Sequence, residues 1–400
     1  MPEHKPAGPR QHVTVDGTEF VLLGTAHISQ ASTDEVTEEI RHGGYDAVAV
    51  ELCESRMRAF REPDYLERMD LLQVLRTGRG GLVMASLALG AYQQRLAEQL
   101  GVEPGAEMKA AAAEADSHGV ELILADREVG VTMRRLYRNV PWWQRLGLLT
   151  GLVGSLASSQ RVSSEEVERL KQGDLLESTF RELAQSSRAL YQPLITERDR
   201  YMAARLLEAS AGRHRRVLVV LGAGHLAGVA EHLRNPPSAG AAAERAALER
   251  MPPPARWPRY LAYLVAAVIL SGFAIGFSRS PELGWSLIGT WFLVNGGLSA
   301  VGTALAYGHP VTVAGAFLAA PLTSLNPTIG AGFVAAAIEL TVRRPRVGDF
   351  RELRQHIVRW QGWWTNRVAR TLLVFLFASL GSALGTYLAG ARILERLLTA

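Results

Sequence analysis

The chain has 400 residues, 48% of them hydrophobic, and 43 Lys and Arg stand against 39 Asp and Glu for a net charge of +4. A balance that weak does not argue for nucleic acid, and no basic patch interleaved with aromatics stands out, so no nucleic-acid partner is expected. The single cysteine, Cys53, excludes an internal disulfide and gives no sign of an oxidising compartment.

The first fifteen residues are polar and proline-bearing, with no apolar stretch of the kind a secretory signal carries. Four short aliphatic runs then read as buried parallel strands, at 20–23, 47–50, 121–125 and 217–221. Helical stretches such as 32–41 lie between them, with Ser/Thr caps and early acids. Strand–helix alternation predicts a soluble α/β domain with a mainly parallel sheet over 1–234. Within the long helical connection 127–216, the apolar stretch 142–158 reads as a core helix, or as a lid or membrane-surface helix. Residues 235–256, rich in Gly, Ala and Pro, read as a linker.

Residues 257–400 read as an α-helical transmembrane region. Uncharged apolar runs at about 260–277, 283–307 and 371–391 have the length of bilayer spans. Trp257 and Tyr260 stand at the entrance of the first, where interfacial aromatics belong. The run 311–340 is broken by Pro321, Asn326 and Pro327, which predicts a re-entrant hairpin or two short helices, because bare backbone cannot face lipid. The loop after it carries Arg343, Arg344, Arg346, Arg351, Arg354, Arg359, Arg367 and Arg370 against Asp349 and Glu352. The positive-inside rule puts that loop in the cytoplasm, and Arg256 and Arg259 put the α/β domain on the same side. Gly362, Trp363 and Trp364, flanked by arginines, suit an interfacial helix or an ordinary amphipathic connector. The expectation is an integral protein of the cell or inner membrane, in contact with lipid, with a homo-oligomer left open.

The chemistry-bearing residues follow the strands. Gly24-Thr25-Ala26-His27 follows the first, Glu51 and then Arg56 the second, Asp126-Arg127 the third, and Gly222-Ala223-Gly224-His225 the fourth. In open α/β sheets the carboxyl ends of the strands form the ligand crevice. A glycine three residues before each histidine allows a sharp turn off the strand and leaves room near the backbone. Two neutral imidazoles and a carboxylate suit a catalytic divalent metal (Mn, Co or Zn) with an open position, so His27, Glu51 and His225 are the expected ligands. Such a site lowers the pKa of bound water and polarises a carbonyl. Glu51 and Arg127 are the expected catalytic residues, Arg127 holding a substrate carboxylate or an oxyanion. The alternative for Arg127 is an ion pair with Asp126, Glu51 or Glu197. Glu197-Arg198-Asp199 opens a helix, where acids serve the helix dipole or the site. Gly24, Arg56, Asp126, Glu197, Asp199 and Gly222 are expected to bind substrate or support the ligands.

At these motifs the sequence resembles the TraB/PrgY family, which is related to GumN and the Tiki proteins. The resemblance rests on GTAHIS (24–29), VELCESR (50–56), LADR (124–127), TERD (196–199) and VLGAGH (220–225), and it runs through the whole soluble half. The C-terminal helices with their LNP break resemble the membrane-attached microbial branch. The resemblance implies an active centre at His27, Glu51 and His225, with Arg127 beside it. It also implies metal-dependent proteolysis, as in Tiki proteins, or the shutdown of peptide pheromones, as in TraB and PrgY. Tiki catalytic domains lie outside the cell, whereas the charge pattern puts this one inside.

Three functions compete on this reading. The first is a membrane-anchored, metal-dependent hydrolase of short peptides or peptide signals. The second is a peptide-binding or regulatory protein that captures without cutting. The third is a transport-linked role for the broken helix.

Overall fold

The computed structural model describes residues 8–25, 30–62, 70–77, most of 80–91, 105–141, 188–251, 257–326 and 329–399. Two compact units emerge, Met1–Tyr65 with Gln93–Pro252 and Leu66–Tyr92 with Pro253–Ala400. His27 and the apolar stretch 142–158 lie outside the described residues.

In the first unit the described residues form a five-stranded sheet in the order β1-β2-β5-β3-β4. β1 (Arg10–Val15) and β2 (Thr18–Thr25) pair antiparallel. Asp16 and Gly17 join them, both at positive φ (48° and 82°), as a tight primed hairpin turn requires. β2 runs parallel to β5 (Arg216–Gly222), β5 to β3 (Ala47–Val50), and β3 to β4 (Glu121–Leu124). The sheet is therefore mixed but mostly parallel, as in an α/β domain. β1 was not among the expected strands, because it is an edge strand in which only Val13 is buried and the other positions are polar or partly exposed.

β5 shows why this sheet needs helices on both faces. Val217, Val219 and Leu221 point to one side with Met202, Leu206, Val229 and Leu233. These come from α5 (Glu197–Ser210) and α6 (Ala223–Arg234). Leu218 and Val220 point to the other side with Val36, Ile40, Met108 and Ala111, from α1 (Gln30–His42) and α3 (Ala106–His118). Each such aliphatic side chain taken out of water contributes about 1.5–3 kcal/mol. The two layers thus hold the strand ends rigidly, along with α2 (Glu54–Arg61) and α4 (Val129–Asn139) that leave two of them.

The segment 235–256, expected as a linker, contains a helix, α7 (Ala241–Glu249), packed on α5. Leu248 is buried there, and Glu249 accepts a hydrogen bond from the Tyr201 hydroxyl at 2.8 Å. Its alanine-rich run is as good a helix former as it is a spacer.

In the second unit the main helices are α8 (Trp257–Arg279), α9 (Pro281–Trp291), α10 (Gly297–Leu305), α11 (Pro310–Thr323), α12 (Ala331–Val342) and α13 (Arg367–Thr399). A π turn, Phe292–Gly296, joins α9 to α10. Among the described residues three stretches are long and apolar enough to cross a membrane, Tyr260–Arg279, Pro281–Leu305 and Arg367–Thr399. α11 and α12 are each shorter than a span; Pro321, expected at the break, lies inside α11, which ends at Thr323, shortly before Asn326. Gly302 and Gly381 lie so close to facing backbone that a Cβ at either would overlap it, the close helix approach typical of membrane bundles. Asn295, in the π turn, donates to Thr386 at 2.9 Å and accepts from Ser324 at 3.1 Å. The short helix Leu71–Arg76 also belongs to this unit, with Leu71 and Leu75 buried and Leu75 and Phe375 against Gly80. The expected domain 1–234 is interrupted there, since Leu71–Arg76 packs with α12 rather than with the sheet.

Candidate functional site

The described site residues gather at the carboxyl edge of the sheet. Glu51 directly follows β3, Asp126 follows β4, and His225 lies in the first turn of α6 just beyond β5. α5 supplies Arg198 and Asp199 from its first turn. Glu51, Asp126, Asp199 and His225 are each 5–6% exposed.

His225 is the best-determined group. Its Nδ1 lies 2.5 Å from Asp199 Oδ1, and its Nε2 lies 3.0 Å from an Arg198 guanidinium nitrogen. Arginine only donates, so Nε2 must be the acceptor and Nδ1 must carry the proton given to Asp199. The imidazole is therefore neutral, with the Nε2 lone pair taken by Arg198 and Nε2 itself 3.6 Å from Glu51 Oε1. Burial pushes the Asp199 carboxyl up from its ordinary value, against the opposing pull of His225 and Arg198. Gly228, one turn along α6, makes room for Asp199, since a Cβ there would overlap the carboxylate.

Glu51 is fixed from two sides. Its Oε2 accepts the Gly222 N–H at 2.7 Å at the start of α6, where the helix dipole favours negative charge. Its Oε1 accepts from Arg198, whose guanidinium also holds Asp126 through bonds of 2.9 and 2.8 Å. Burial works against the Arg198 charge, but Asp126 and Glu51 outweigh it and raise the Arg198 pKa. Among the described residues three carboxyl groups face one guanidinium and a neutral histidine.

Arg127 is turned to other work. Its side chain is 0% exposed, and it donates to Thr132 (3.0 Å), Glu197 (2.9 Å), Pro193 O (3.0 Å) and Leu248 O (3.3 Å). Arg135 holds the same Glu197 with bonds of 2.6 and 3.0 Å. Burial would raise the Glu197 carboxyl, but Arg135 and Arg127 keep it below its ordinary value. Burial pulls the Arg127 guanidinium down from its own. Of the sequence alternatives for Arg127, the ion pair with Glu197 is the one present. Arg56 is exposed on α2 and makes no contact to the cluster among the described residues.

The glycines act differently from one another. Gly222 sits at φ −62°, ψ 140°, open to any residue, so the chain does not need its conformational freedom there; its N–H is what reaches Glu51. Gly24 is a matter of room, since a Cβ would lie 3.0 Å from the Pro9 ring and 3.3 Å from the Ala223 backbone.

Arg198, at the middle of the cluster, was not expected there. A π turn, Gln192–Thr196, runs directly into α5, and its Pro193 and Leu194 carbonyls accept from Arg127 and Arg198. Successive positions on a helix differ by about 100°, so Glu197, Arg198 and Asp199 fan out to three partners: the arginine pair, the Glu51–Asp126 pair, and His225. The signal in the sequence was charge. Two acids predicted at one sheet edge, Glu51 and Asp126, call for a buried cation, and the Glu197-Arg198-Asp199 triplet holds one.

A divalent cation meets a mixed reception here. His225 Nε2 and Glu51 Oε1, 3.6 Å apart, are close to the ~3.4 Å edge of a tetrahedron with metal–ligand bonds of about 2.1 Å. Asp199 orients the imidazole as carboxylates orient metal-bound histidines. Against this, Arg198 already bonds both donors and must swing away. Among the described residues no group of three or more His, Cys, Asp and Glu side chains forms a ready metal set. His27, the expected third ligand, lies outside them.

Comparison with known proteins places these elements in context. Residues 11–245 match the model of the TraB/PrgY/gumN family, and residues 257–398 match that of the TraB family protein, C-terminal domain. A protein of Methanocaldococcus jannaschii, described as uncharacterized, is 29% identical over 383 residues, spanning 93% of this chain and 94% of that protein. TraB domain-containing proteins of Homo sapiens and Mus musculus are each 33% identical over 244 residues, spanning 55% of this chain and 64% of their own length.

Proposed function

The chain belongs to the TraB/PrgY/gumN family, and from that premise we propose that it is a membrane-attached, metal-dependent hydrolase of short peptides or peptide signals. Its reacting centre is the Asp199–His225–Glu51 cluster. The observation that carries this reading is the neutral imidazole of His225, fixed by Asp199 at 2.5 Å with its Nε2 3.6 Å from the buried Glu51 carboxylate. A lone pair held in that way at a sheet edge serves a metal or a proton, and either use suits hydrolysis. His225, Glu51 and His27 would hold the cation. When bound, it supplies a water of lowered pKa and polarises the scissile carbonyl.

The chain's own residues do the rest. Asp199 keeps the imidazole in one tautomer and one orientation. Arg198, once it leaves Glu51 and His225, keeps Asp126 as its anchor and turns a guanidinium to a peptide carboxylate or a developing oxyanion. Glu51 either ligates the cation or takes the proton of the attacking water. The three apolar helices anchor the chain, with the first unit and the arginine loop 343–370 on the cytoplasmic side.

One observation favours a second reading, peptide capture without cleavage: Arg198 already occupies both Glu51 and His225. The test is the full chain in mild detergent, supplied with Mn, Co or Zn and a library of short peptides. Cleavage is expected with at least one cation. Glu51→Gln then separates the two roles of Glu51. Loss of bound cation marks a ligand, whereas retained cation with turnover lowered by roughly two to four orders of magnitude marks the base. No cleavage with any cation, together with a melting curve indifferent to chelator, defeats the hydrolase and leaves the capture reading.

A further inference from the structure

A groove of about 840 Å³ opens on the second unit between α10 and α11. That volume is in the range of clefts that hold ligands. Ala304, Val313, Ala314 and Phe317 form apolar walls, and Arg343 and Tyr307 stand at one end. Leu305, Val311 and Leu318 around it are 54–63% exposed, as side chains facing lipid tails are.

Its Arg343 end carries the marks of a membrane–water interface. Trp364 donates its indole N–H to Leu305 O at 2.9 Å, at the end of α10, and stacks at a tilt on Trp360 with ring centroids 4.6 Å apart. Indoles gather at the headgroup level. Arg343 donates to Tyr307 O at 2.9 Å and pairs with Glu339 at 3.4 Å, yet its side chain stays 32% exposed. Arg370 lies 3.7 Å from the same glutamate, and Arg367 donates to Arg344 O. Eight arginines stand in the segment 339–370 against Glu339, Asp349 and Glu352.

Tyr307 adds an independent sign. It sits at φ 57° in the turn between α10 and α11, where glycine is the usual residue, and it is 68% exposed. A bulky residue held in the left-handed region is an outlier, and such outliers collect at ligand clamps. A ring so exposed is not required by the packing of the described residues; it lines the mouth of the groove instead.

We propose that this groove is a binding site for an anionic phospholipid, an acyl chain lying along α10 and α11 and the headgroup phosphate paired with Arg343. The apolar walls take the chain, the arginine excess selects the anionic headgroup over a zwitterionic one, and the Tyr307 ring covers the glycerol level. The site rests on the membrane reading of the second unit.

Two measurements test it. Alkaline extraction of membranes carrying the full chain comes first. Release into the supernatant overturns both the membrane reading and this site. For chain that stays with the membrane, native mass spectrometry in neutral detergent follows, with phosphatidylglycerol and phosphatidylcholine offered at equal concentration. Wild type is expected to retain phosphatidylglycerol over phosphatidylcholine by about fivefold or more, the ratio one surface arginine supplies. Arg343→Gln should bring that preference close to one. Ala304→Phe fills the groove from an exposed position that no packing depends on, and should strip the bound lipid. Equal retention of the two lipids by wild type, or a preference that survives both substitutions, overturns the site. So does a dimer that carries no lipid and dissociates in Ala304→Phe, because the groove then belongs to a second copy of the chain.

Discussion

Replacing Arg127 with methionine keeps an unbranched apolar stem and deletes the guanidinium. Four acceptors lose a donor: Thr132, Glu197, Pro193 O and Leu248 O. Glu197 stays held by Arg135 through two bonds, so no buried carboxylate is abandoned. The Thr132 hydroxyl can rotate to another partner. What remains is two backbone carbonyls stripped of their donor around a side chain that is 0% exposed, at about 1–3 kcal/mol each. Relief of the desolvation of Arg127 offsets part of that, which leaves a loss of about 3 kcal/mol. For a unit of this size each kcal/mol moves the midpoint by about 2–4 °C, so Arg127→Met should melt roughly 6–12 °C below wild type. The assay is thermal unfolding of the full chain in detergent, followed by circular dichroism. A variant that melts within about 2 °C of wild type but has lost turnover would refute the clamp and return Arg127 to the substrate.

Three other outcomes follow from the same geometry. Gly228→Ala drives a methyl group into Asp199 and breaks its bond to His225; cation affinity, read by isothermal titration calorimetry, should fall about 10–100-fold, and an unchanged affinity would show that Asp199 does not orient the imidazole. Glu197 is held below its ordinary value near 4.5, so its contribution is complete above that pH and is lost as pH falls through the depressed value. Glu197→Gln should lower stability at neutral pH and flatten the acid side of the stability curve, where wild type loses up to ~1.4 kcal/mol per pH unit from this group; parallel acid limbs in the two proteins would contradict the assignment. Single cysteines at Met251 and Arg346, outside the three long apolar stretches, should label from the cytoplasmic side alone, and labelling from opposite sides would mean an odd number of crossings between them.

Much of the frame was legible because buried strands advertise themselves. Val48, Val50, Leu218 and Val220 belong to apolar runs bounded by chemistry-bearing residues, and the alternation of those runs onto two faces follows from the pleat. The convergence of Glu51, Asp126 and His225 follows from strand-end positions alone. Arg198 was illegible for a different reason: its partners His225, Asp126 and Glu51 are 27, 72 and 147 residues away in sequence, and only the direction of one helical turn decides which partner it meets. Arg127 and Arg198 carry the same charge within the same edge of the sheet, yet the first locks α7 and α5 together while the second sits among the acids. Sequence patterns assign residues to an edge but not to a partner. β1 and α7 escaped because an edge strand buries one residue and an alanine-rich helix shares its composition with a linker.

The central claim is that His225, fixed by Asp199, is the hinge of a hydrolytic centre. It is tested most directly by measuring bound Mn, Co or Zn and peptide cleavage on the same preparations of full-length wild type and His225→Ala, each shown to be folded. Wild type is expected to show both cation and cleavage, and the variant to lose both. Cleavage that persists in folded His225→Ala would contradict it.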